Sequence, residues 1–525
     1  LTALAATLSG ITTLNNKAFY KETVMQGVLA SIERVGNKLP HPFILFAILA
    51  ALVVVISAIL ATLGVSAINP QTEAEVTVRG LLSADGVEFM LTSVVSNFVN
   101  FPPLGLILVV MFGIGLADKV GLMSTLMQVS VAKAPPSLLT FCVFMAGICG
   151  SIASDANYLI LIPLAAMVYY SVGRHPVAGA AAAYAAAGAG FDASLFITVG
   201  DALFAGITTD AARLVDPDAY ISPVDNYYFV ACSVFVLAAV GTLLVDKVVE
   251  PRLQRTLPMG KDFKTEVVTP TLTEAEKRGL KRVGLATLAY IALVLLVVVP
   301  EASPLRNEDG GLIPSPFLRS LVPLMFIYFV TIGLVYGITT GKITSSRDVP
   351  QRMAESASDL APTLVLFFAI SQFIAYFRWS ELGQFIAIEG SNVLQSTGFT
   401  GLPLVGAFIA MSAVLNVFMT SGSAQWALMA PVFVPMLMMI DFDPAFVLAM
   451  FRIGDSSTNI ISPMSPYFSV ALVYMQRYKP DMGLGTLIAT MLPLAMGFLL
   501  AWSAFLMFWL MMGWPIGPGV YMMAN

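Results

Sequence analysis

Long apolar stretches alternate with short polar segments along the whole chain, and this pattern predicts a protein that crosses a membrane many times. A helix needs about 20 predominantly apolar residues to span the hydrocarbon core. Nine stretches are predicted as spans: 42–64, 104–127, 176–200, 226–246, 283–300, 318–338, 360–379, 444–474 and 485–513.

Two further apolar regions, 138–171 and 403–439, are too long for one span. Each has small and polar residues near its middle, at 150–155 and at 420–423. We therefore predict two re-entrant hairpins, each of which dips into the membrane and returns to its own side.

The distribution of Lys and Arg predicts the orientation, because cytoplasmic loops carry an excess of positive charge. The N-terminus is then inside and the C-terminus outside, and the hairpins enter from opposite sides, the first from the cytoplasm and the second from outside. The loops predicted to be cytoplasmic are 247–282, 339–357 and 476–484, and those predicted to be external are 65–103, 201–225 and 301–317.

The same parts follow one another in both halves of the chain. A hairpin precedes a helix that begins at a proline and is interrupted by a Gly- and Asp-containing break, at 188–194 in the first half and at 454–456 in the second. Matched interrupted helices in two halves indicate a transporter site near the membrane midplane. The predicted parts are an N-terminal segment 1–41, a first half 42–246, a cytoplasmic linker 247–282, a second half 283–474 and a last helix 485–513.

The predicted fold class is therefore an all-α polytopic membrane protein with nine transmembrane helices, two oppositely oriented hairpins and an inverted repeat with two broken helices. The N-terminal segment is expected to contain a natural start at Met25, with 1–24 as added or upstream sequence and 26–40 as an amphipathic lead-in.

Composition supports this class. The chain is 58% hydrophobic and 11% charged, whereas soluble proteins are about 25% charged. Its three cysteines lie in apolar stretches and fit no disulfide framework or metal motif. We found no zinc-protease motif and no phosphate-binding loop, so an enzyme or a primary pump is not expected. Nothing in the composition points to nucleic acid, and a passive channel fits less well than a carrier.

Oxygen-bearing side chains are concentrated at the hairpin turns and at the helix breaks. Such ligands suit Na⁺ or a proton-binding carboxylate, and transition metals would need His or Cys. Na⁺ at Ser151, Asn157 and Asp192 is the candidate bound ion, and no other cofactor is expected. Ion coupling is assigned to Asp192, Asp455, Ser154, Asn157, Ser194 and Ser421. Two further polar groups are Ser423, at the turn of the second hairpin, and Asn459, at the second break.

Arg452 and Asp455 are costly inside a span and lie on one helix face. They either pair with each other to permit insertion or, as we favour, Arg452 receives a substrate carboxylate and Asp455 is its resting counter-ion. Asp192 is either a protonated structural acid or a proton carrier. Trp426 is either an interfacial anchor or a ring that stacks on an aromatic substrate.

The string Arg452-Ile453-Gly454-Asp455-Ser456-Ser457-Thr458-Asn459-Ile460-Ile461-Ser462-Pro463-Met464 resembles the AbgT family of bacterial transporters, as do 423–427 and 161–166. The resemblance covers about 39–518. It implies an inner-membrane homodimer that transports p-aminobenzoyl-glutamate, and in some members the export of sulfonamide antimetabolites. The family's important positions match here as Asp192, Ser423, Trp426, Pro444, Arg452, Asp455 and Pro463.

We therefore expect a secondary active transporter with alternating access, coupled to H⁺ or Na⁺. Its substrate is expected to be a small aromatic carboxylate or a sulfonamide, bound at Ser423, Trp426, Arg452, Asp455, Asn459, Pro463 and Pro444. The alternative is a Na⁺-coupled dicarboxylate symporter of similar architecture, which Trp426 disfavours because an aliphatic diacid needs no aromatic ring.

Overall fold

The computed structural model describes residues 40–69, 73–132, 134–153, 155–256, 272–313, 315–480 and 482–523. The expected start at Met25 and nearly all of the segment 1–41 lie outside this part of the chain. The described residues are mostly helical, and one small antiparallel sheet joins β1, Ser66–Ile68, to β2, Glu75–Thr77.

The first half of the chain contains one long interruption, between α8 and α9. They are α1 Pro42–Thr62, α2 Ala84–Thr92, α3 Val94–Val99, α4 Pro102–Lys119, α5 Leu122–Ala132, α6 Leu139–Cys149, α7 Asp155–Ser171, α8 Pro176–Gly188, α9 Val199–Ala212, α10 Tyr227–Leu244 and, after a π-helical turn at Val245–Val249, α11 Glu250–Thr256.

The second half contains a matching interruption between α20 and α21. Its helices are α12 Glu274–Val298, α13 Pro316–Arg319, α14 Leu321–Thr340, α15 Asp348–Asp359, α16 Ala361–Trp379, α17 Leu382–Thr397, α18 Gly401–Phe418, α19 Gly422–Met438, α20 Pro444–Thr458, α21 Pro466–Gln476 and α22 Leu484–Met511.

Eight helices in the described residues are long and apolar enough to cross a membrane. Seven of them correspond to the seven predicted spans without a break, and the eighth is α18, the first arm of the predicted hairpin 403–439. The seven are α1, α4, α10 with α11, α12, α14, α16 and α22.

One predicted span is wrong in extent. The stretch 104–127 was predicted as a single helix, but α4 ends at Lys119 and α5 begins at Leu122. Gly121 lies between them with φ of +84°, a left-handed conformation that glycine adopts without a steric penalty. The chain turns here, so α5 contacts α6 and α7 of the first hairpin and does not extend α4.

The first broken helix is confirmed, although its second half is longer than predicted. α8 ends at Gly188 and the chain continues to α9, which runs to Ala212. Residues 201–212 were predicted to belong to an external loop, and this is wrong. Thr208 and Asp210 interrupted the apolar pattern there, but both side chains are buried against other helices.

The second broken helix is also present, but its break lies later than predicted. α20 continues through Gly454, Asp455 and Ser456 to Thr458, and a 3₁₀ turn at Asn459–Ile461 precedes α21. Gly454 does not end the helix. It lets α18 approach closely, because a Cβ at this position would lie 2.7 Å from the carbonyl oxygen of Ile409.

Two contacts at opposite ends of the molecule tie distant elements together. Near the start of α8, Arg174 pairs with Asp246 at 2.6 Å and with Glu250 at 2.5 Å. At the other end, the segment after α22, which we call the C-terminal segment (512–523), accepts hydrogen bonds from Phe229 N through Ile516 O and from Asp443 N through Met522 O.

Candidate functional site

Both helix breaks and the turn of the second hairpin meet at one place. The backbone N–H of Asp192, in the first break, donates to Ser456 Oγ at 3.1 Å. The amide of Asn459, in the second break, donates to Gly188 O at 3.4 Å. Gly422 begins α19 so close to α20 that a Cβ would lie 2.7 Å from Asp455 Oδ2. The breaks predicted from the two halves therefore form one site.

Asp192 and Asp455 form a pair of buried carboxyl groups at this meeting point. Their carboxyl groups lie close enough to interact directly, and both residues are almost fully buried. Each also has one buried oxygen, Asp192 Oδ2 and Asp455 Oδ1, without a hydrogen-bond donor in the described residues. Two neighbouring buried carboxyl groups repel each other when both are ionised, so the arrangement favours a proton on one of them.

Arg452 is paired with Asp201 and not with Asp455. Its Nη1 lies 2.6 Å from Asp201 Oδ1, and both residues are buried. The expectation that Asp455 serves as the resting counter-ion of Arg452 is therefore corrected. The spacing of three residues does place Arg452 and Asp455 on one face, but Asp201 comes from α9, which packs across α20.

Asp201 was missed because it lay in the segment predicted to be an external loop. It occupies the third position of α9 and completes a capping box with Thr198. Asp201 Oδ2 accepts from Thr198 N at 2.7 Å and from Thr198 Oγ1 at 2.8 Å. The Thr-x-x-Asp spacing before the apolar run 202–207 is a helix-start signal that could have located both the helix and the acid.

The turn of the second hairpin is ordered by polar side chains. Ser421 caps α19, with its hydroxyl accepting from Ala424 N at 3.5 Å and lying 3.3 Å from Ser423 Oγ. Asn416, which sequence analysis also missed, donates to Asp455 O, and to Thr458 Oγ1 and Asn459 Oδ1 at 3.0 Å each. This amide holds the end of α20 against α18.

The first hairpin contains two of the three residues predicted to bind Na⁺, Ser151 and Asn157, and the third, Asp192, lies in the first break. The Asn157 amide donates to Gly147 O at 2.7 Å and so joins the two arms. Ser151 Oγ, Asn157 Oδ1 and Asp192 Oδ2 are buried without a hydrogen-bond partner in the described residues. Hard, unsatisfied oxygens of this kind fit a small cation. No three His, Cys, Asp or Glu side chains form a metal cluster within the described ranges.

A cavity of about 770 Å³ opens beside the site. Five predicted site residues line it, namely Ser151, Ser421, Ser423, Asp455 and Asn459. It also reaches Asp118, Lys119 and Asp359, and Lys119 pairs with Asp359 there at 2.7 Å. We call this charged end the cavity mouth.

The aromatic side chains that line the cavity are not the predicted one. Trp426 is fully buried, its ring lies 4.5 Å from that of Phe451, and its Nε1 donates to Thr208 Oγ1 at 2.9 Å. Tyr158 and Tyr467 line the cavity as a stacked pair with centroids 4.0 Å apart. The other aromatic lining residues are Tyr184, Phe191 and Phe204.

Three further predicted residues, Pro444, Pro463 and Ser194, do not line the cavity. Pro444 begins α20, eleven residues before Asp455 and so about 16 Å away along the helix. Pro463 lies within the second break, between the 3₁₀ turn and α21. Ser194 accepts from Phe196 N at 3.1 Å within the first break. Ser154 lies outside the described residues.

Comparison with known proteins agrees with this architecture. The AbgT transporter family matches residues 27–524. The p-aminobenzoyl-glutamate transport protein of Escherichia coli is 42% identical over 93% of this chain and 96% of its own.

Two solved structures share the fold. The YdaH transporter of Alcanivorax borkumensis has a TM-score of 0.86 and 38% identity over 91% of this chain and all of its own. MtrF of Neisseria gonorrhoeae, described with a class of antimetabolite efflux pumps, has a TM-score of 0.88 and 40% identity over 94% of this chain and all of its own. The chain is therefore a multi-span membrane transporter and not an enzyme, and it belongs to the AbgT family, whose members are bacterial inner-membrane proteins.

Proposed function

We propose that this transporter is a proton-coupled secondary carrier for p-aminobenzoyl-glutamate and for related aromatic antimetabolites of the sulfonamide type. The single observation that carries the proposal is the buried carboxyl pair Asp192–Asp455, one member of which lines the cavity. A site that takes up one proton next to a substrate cavity can link proton movement to substrate movement.

The cavity suits an aromatic carboxylate. Its volume lies within the range of small-molecule sites, about 300–1,000 Å³. The stacked tyrosines offer ring faces for an aminobenzoyl group, and Arg452, close behind the wall, offers a cation for a carboxylate. These features support the substrate that names the Escherichia coli relative.

Sodium is the second coupling candidate. The unsatisfied oxygens of Ser151, Asn157 and Asp192 favour it, and they share Asp192 with the proton-binding pair. Proton and Na⁺ would therefore compete for one carboxyl group, and a single assay can distinguish them.

Alternating access is supported by the two broken helices, whose short halves can tilt independently of one another. We propose that both hairpins are re-entrant, that the N-terminus is cytoplasmic and the C-terminus external, and that the carrier works as an inner-membrane homodimer. The cavity mouth then faces the cytoplasm, because α4 ends there and α15 follows a loop rich in Lys and Arg.

The test is flux of radiolabelled p-aminobenzoyl-glutamate in proteoliposomes, with pH and Na⁺ gradients imposed separately. We expect the pH gradient to drive flux in the parent and Asp455→Asn to abolish this drive. Asp309→Asn, at an exposed position, is the matched control and should behave as the parent. Flux driven by Na⁺ alone would replace the proton with Na⁺, and no flux under either gradient would remove this substrate.

A further inference from the structure

We propose that Asp201 is the exchangeable counter-ion of Arg452, and that the carboxylate of an anionic substrate takes its place on the guanidinium during transport. This inference rests on the proposed function. It adds a residue that the sequence did not bring forward, and it assigns that residue a positioning role.

Arg452 can accept a second anion. A guanidinium carries five N–H donors, and in the described residues the Arg452 guanidinium has one ion-pair partner, through Nη1. Its Nε is buried without an acceptor. A buried guanidinium with unused donors gains from a further carboxylate, because charge-assisted hydrogen bonds are stronger than neutral ones.

Asp201 can release Arg452 without becoming unpaired. Its Oδ1 binds Arg452, whereas its Oδ2 accepts from both Thr198 N and Thr198 Oγ1. It also lies in the first turn of α9, where the helix dipole stabilises a negative charge. The carboxylate therefore keeps two hydrogen bonds and a favourable field after the guanidinium has moved to another partner.

The pair lies directly behind the cavity wall. Thr198, Val199, Gly200, Leu203 and Phe204 of the α9 start line the cavity, whereas Asp201 and Arg452 do not. The Arg452 guanidinium lies 5.4 Å from the ring centroid of Phe204. A substrate can therefore reach Arg452 only when the first turn of α9 shifts, and loss of the Asp201–Arg452 contact is what frees that turn.

The same helix offers a matched control. Asp210 pairs with Arg378 at the other end of α9, nine residues or about 13 Å along the helix. Neither residue lines the cavity, and the Arg378 side chain is 43% exposed. Asp210→Asn therefore removes the same kind of ion pair from the same helix without changing the cavity wall.

The experiment measures KM and kcat in proteoliposomes for anionic p-aminobenzoyl-glutamate and for sulfanilamide, which is uncharged at neutral pH. Asp201→Asn should lower the KM for the anion roughly tenfold, because the substrate no longer competes with an internal carboxylate. It should also lower kcat, because the anion is released more slowly. The KM for sulfanilamide should stay the same in Asp201→Asn. The conservative variant Asp201→Glu keeps the negative charge, so its KM for the anion should equal that of the parent.

Thr198→Ala provides a milder variant in case Asp201→Asn does not fold. Loss of the Thr198 hydroxyl frees Asp201 Oδ2 to bind Arg452 more strongly, so the KM for the anion should rise severalfold. Because Thr198 also lines the cavity, the KM for sulfanilamide reports the change in the cavity wall, and the KM for the anion should rise by the larger factor. Asp210→Asn should leave both KM values unchanged.

Each contrary result has a separate meaning. The exchange of counter-ions is overturned if the parent transports the anion but Asp201→Asn, like Asp210→Asn, leaves both KM values unchanged. It is also overturned if Asp201→Asn changes the KM for the anion and the KM for sulfanilamide by the same factor. An unchanged KM for the anion in Thr198→Ala overturns it as well. If the parent neither binds nor transports the anion, the proposed function fails, and the inference with it.

Discussion

At the scale of single residues, Trp426 shows how a side chain at membrane depth can be committed to the protein itself. Its ring packs on Phe451 and its N–H donates to Thr208, so it joins the second hairpin to α9. Its position at membrane depth and its contact with an aromatic substrate both stay predictions. The rings that line the cavity belong to other residues.

Trp426→Phe and Tyr467→Leu separate these roles. Trp426→Phe keeps a ring but loses the hydrogen bond to Thr208, so we expect a loss of about 1 kcal/mol in stability and a KM within about twofold of the parent. Tyr467→Leu removes a cavity ring and should raise KM about threefold or more. Thermal unfolding and transport kinetics measure both. A raised KM with unchanged stability in Trp426→Phe would instead place the substrate on Trp426.

Gly454 gives a second prediction at this scale. An added methyl group would lie 2.7 Å from Ile409 O and 2.8 Å from Ala413 N, both backbone atoms of α18. Gly454→Ala should therefore lower the melting temperature, by an amount equivalent to about 1–3 kcal/mol.

Gly406→Ala is the control for this change. The site on α18 has open space, with the nearest atom, Met507 Cε, 3.9 Å away. Alanine should be neutral or stabilising by up to about 1 kcal/mol there, because it favours helix. Equal melting temperatures for the two variants would show that α18 and α20 do not pack this tightly.

At the scale of elements, the first break was predictable and the second was misplaced for a physical reason. Gly188 and Gly190 follow an Ala-rich helix, and the helix ends there because glycine disfavours helical structure. Gly454 and Asp455 also predict a helix break, but the Asn416 amide of α18 donates to the carbonyl oxygen of Asp455 and stabilises the last turn of α20. No local pattern reveals a partner that is 39 residues away in the chain.

The C-terminal segment gives a pH prediction. It hydrogen-bonds near two half-buried acids, and the loss of solvent around each carboxyl is the main cause that raises the pKa of Asp225 to about 7 and that of Asp443 to about 6. The negative charge of Asp443 also raises the pKa of Asp225. The other charged or titratable groups nearby are Tyr220 and, beyond it, Arg319.

The sign of the effect follows from linkage. A carboxyl whose pKa is raised by folding holds its proton more tightly in the folded state, so its contribution to stability is complete near pH 4 and is lost as the pH rises to 7. We expect the free energy of unfolding to fall over this range by at most about 1.4 kcal/mol per pH unit for each acid.

Thermal unfolding in detergent from pH 4 to pH 8 measures this slope. Asp225→Asn should reduce it, and Asp309→Asn, at an exposed position, should not. A slope that is the same in all three proteins would show that Asp225 is ionised in the folded protein throughout this range.

At the scale of the whole molecule, the cavity joins the central site to a charged mouth. Lys119 is the cation there, and Asp359 is its partner. Because both are partly exposed, their mutual attraction is weak, and an incoming anion can compete for Lys119.

Lys119→Gln should therefore lower kcat/KM for p-aminobenzoyl-glutamate about threefold at low salt, with a smaller effect at high salt, where charges are screened. Lys342→Gln, at an exposed position in the neighbouring loop, serves as the control. The salt dependence of initial rates is the measurement, and a loss that does not depend on salt would rule out an electrostatic role.

The sequence was sufficient to predict a multi-span helical fold because hydropathy reports on the membrane directly. It also singled out Arg452, Asp455 and Asp192, which the structure buries close to one another, because ionisable groups are conspicuous among apolar residues. It did not reveal Asp201 or Asn416, since each takes its role from a partner on another helix. Tyr158 and Tyr467 were missed for the same reason, because tyrosines in apolar helices give no signal until the cavity is known.

The charge of the buried cluster has an electrical consequence. The cluster contains three carboxyl groups, those of Asp192, Asp201 and Asp455, and one guanidinium, that of Arg452. It therefore carries two net negative charges when no proton is bound. Each elementary charge that crosses the membrane exchanges about 2.3 kcal/mol per 100 mV with the membrane potential. In the proposed alternating-access cycle, a cell interior that is negative would favour the outward-facing form of the empty carrier, and proton binding would weaken that electrical force before the substrate binds.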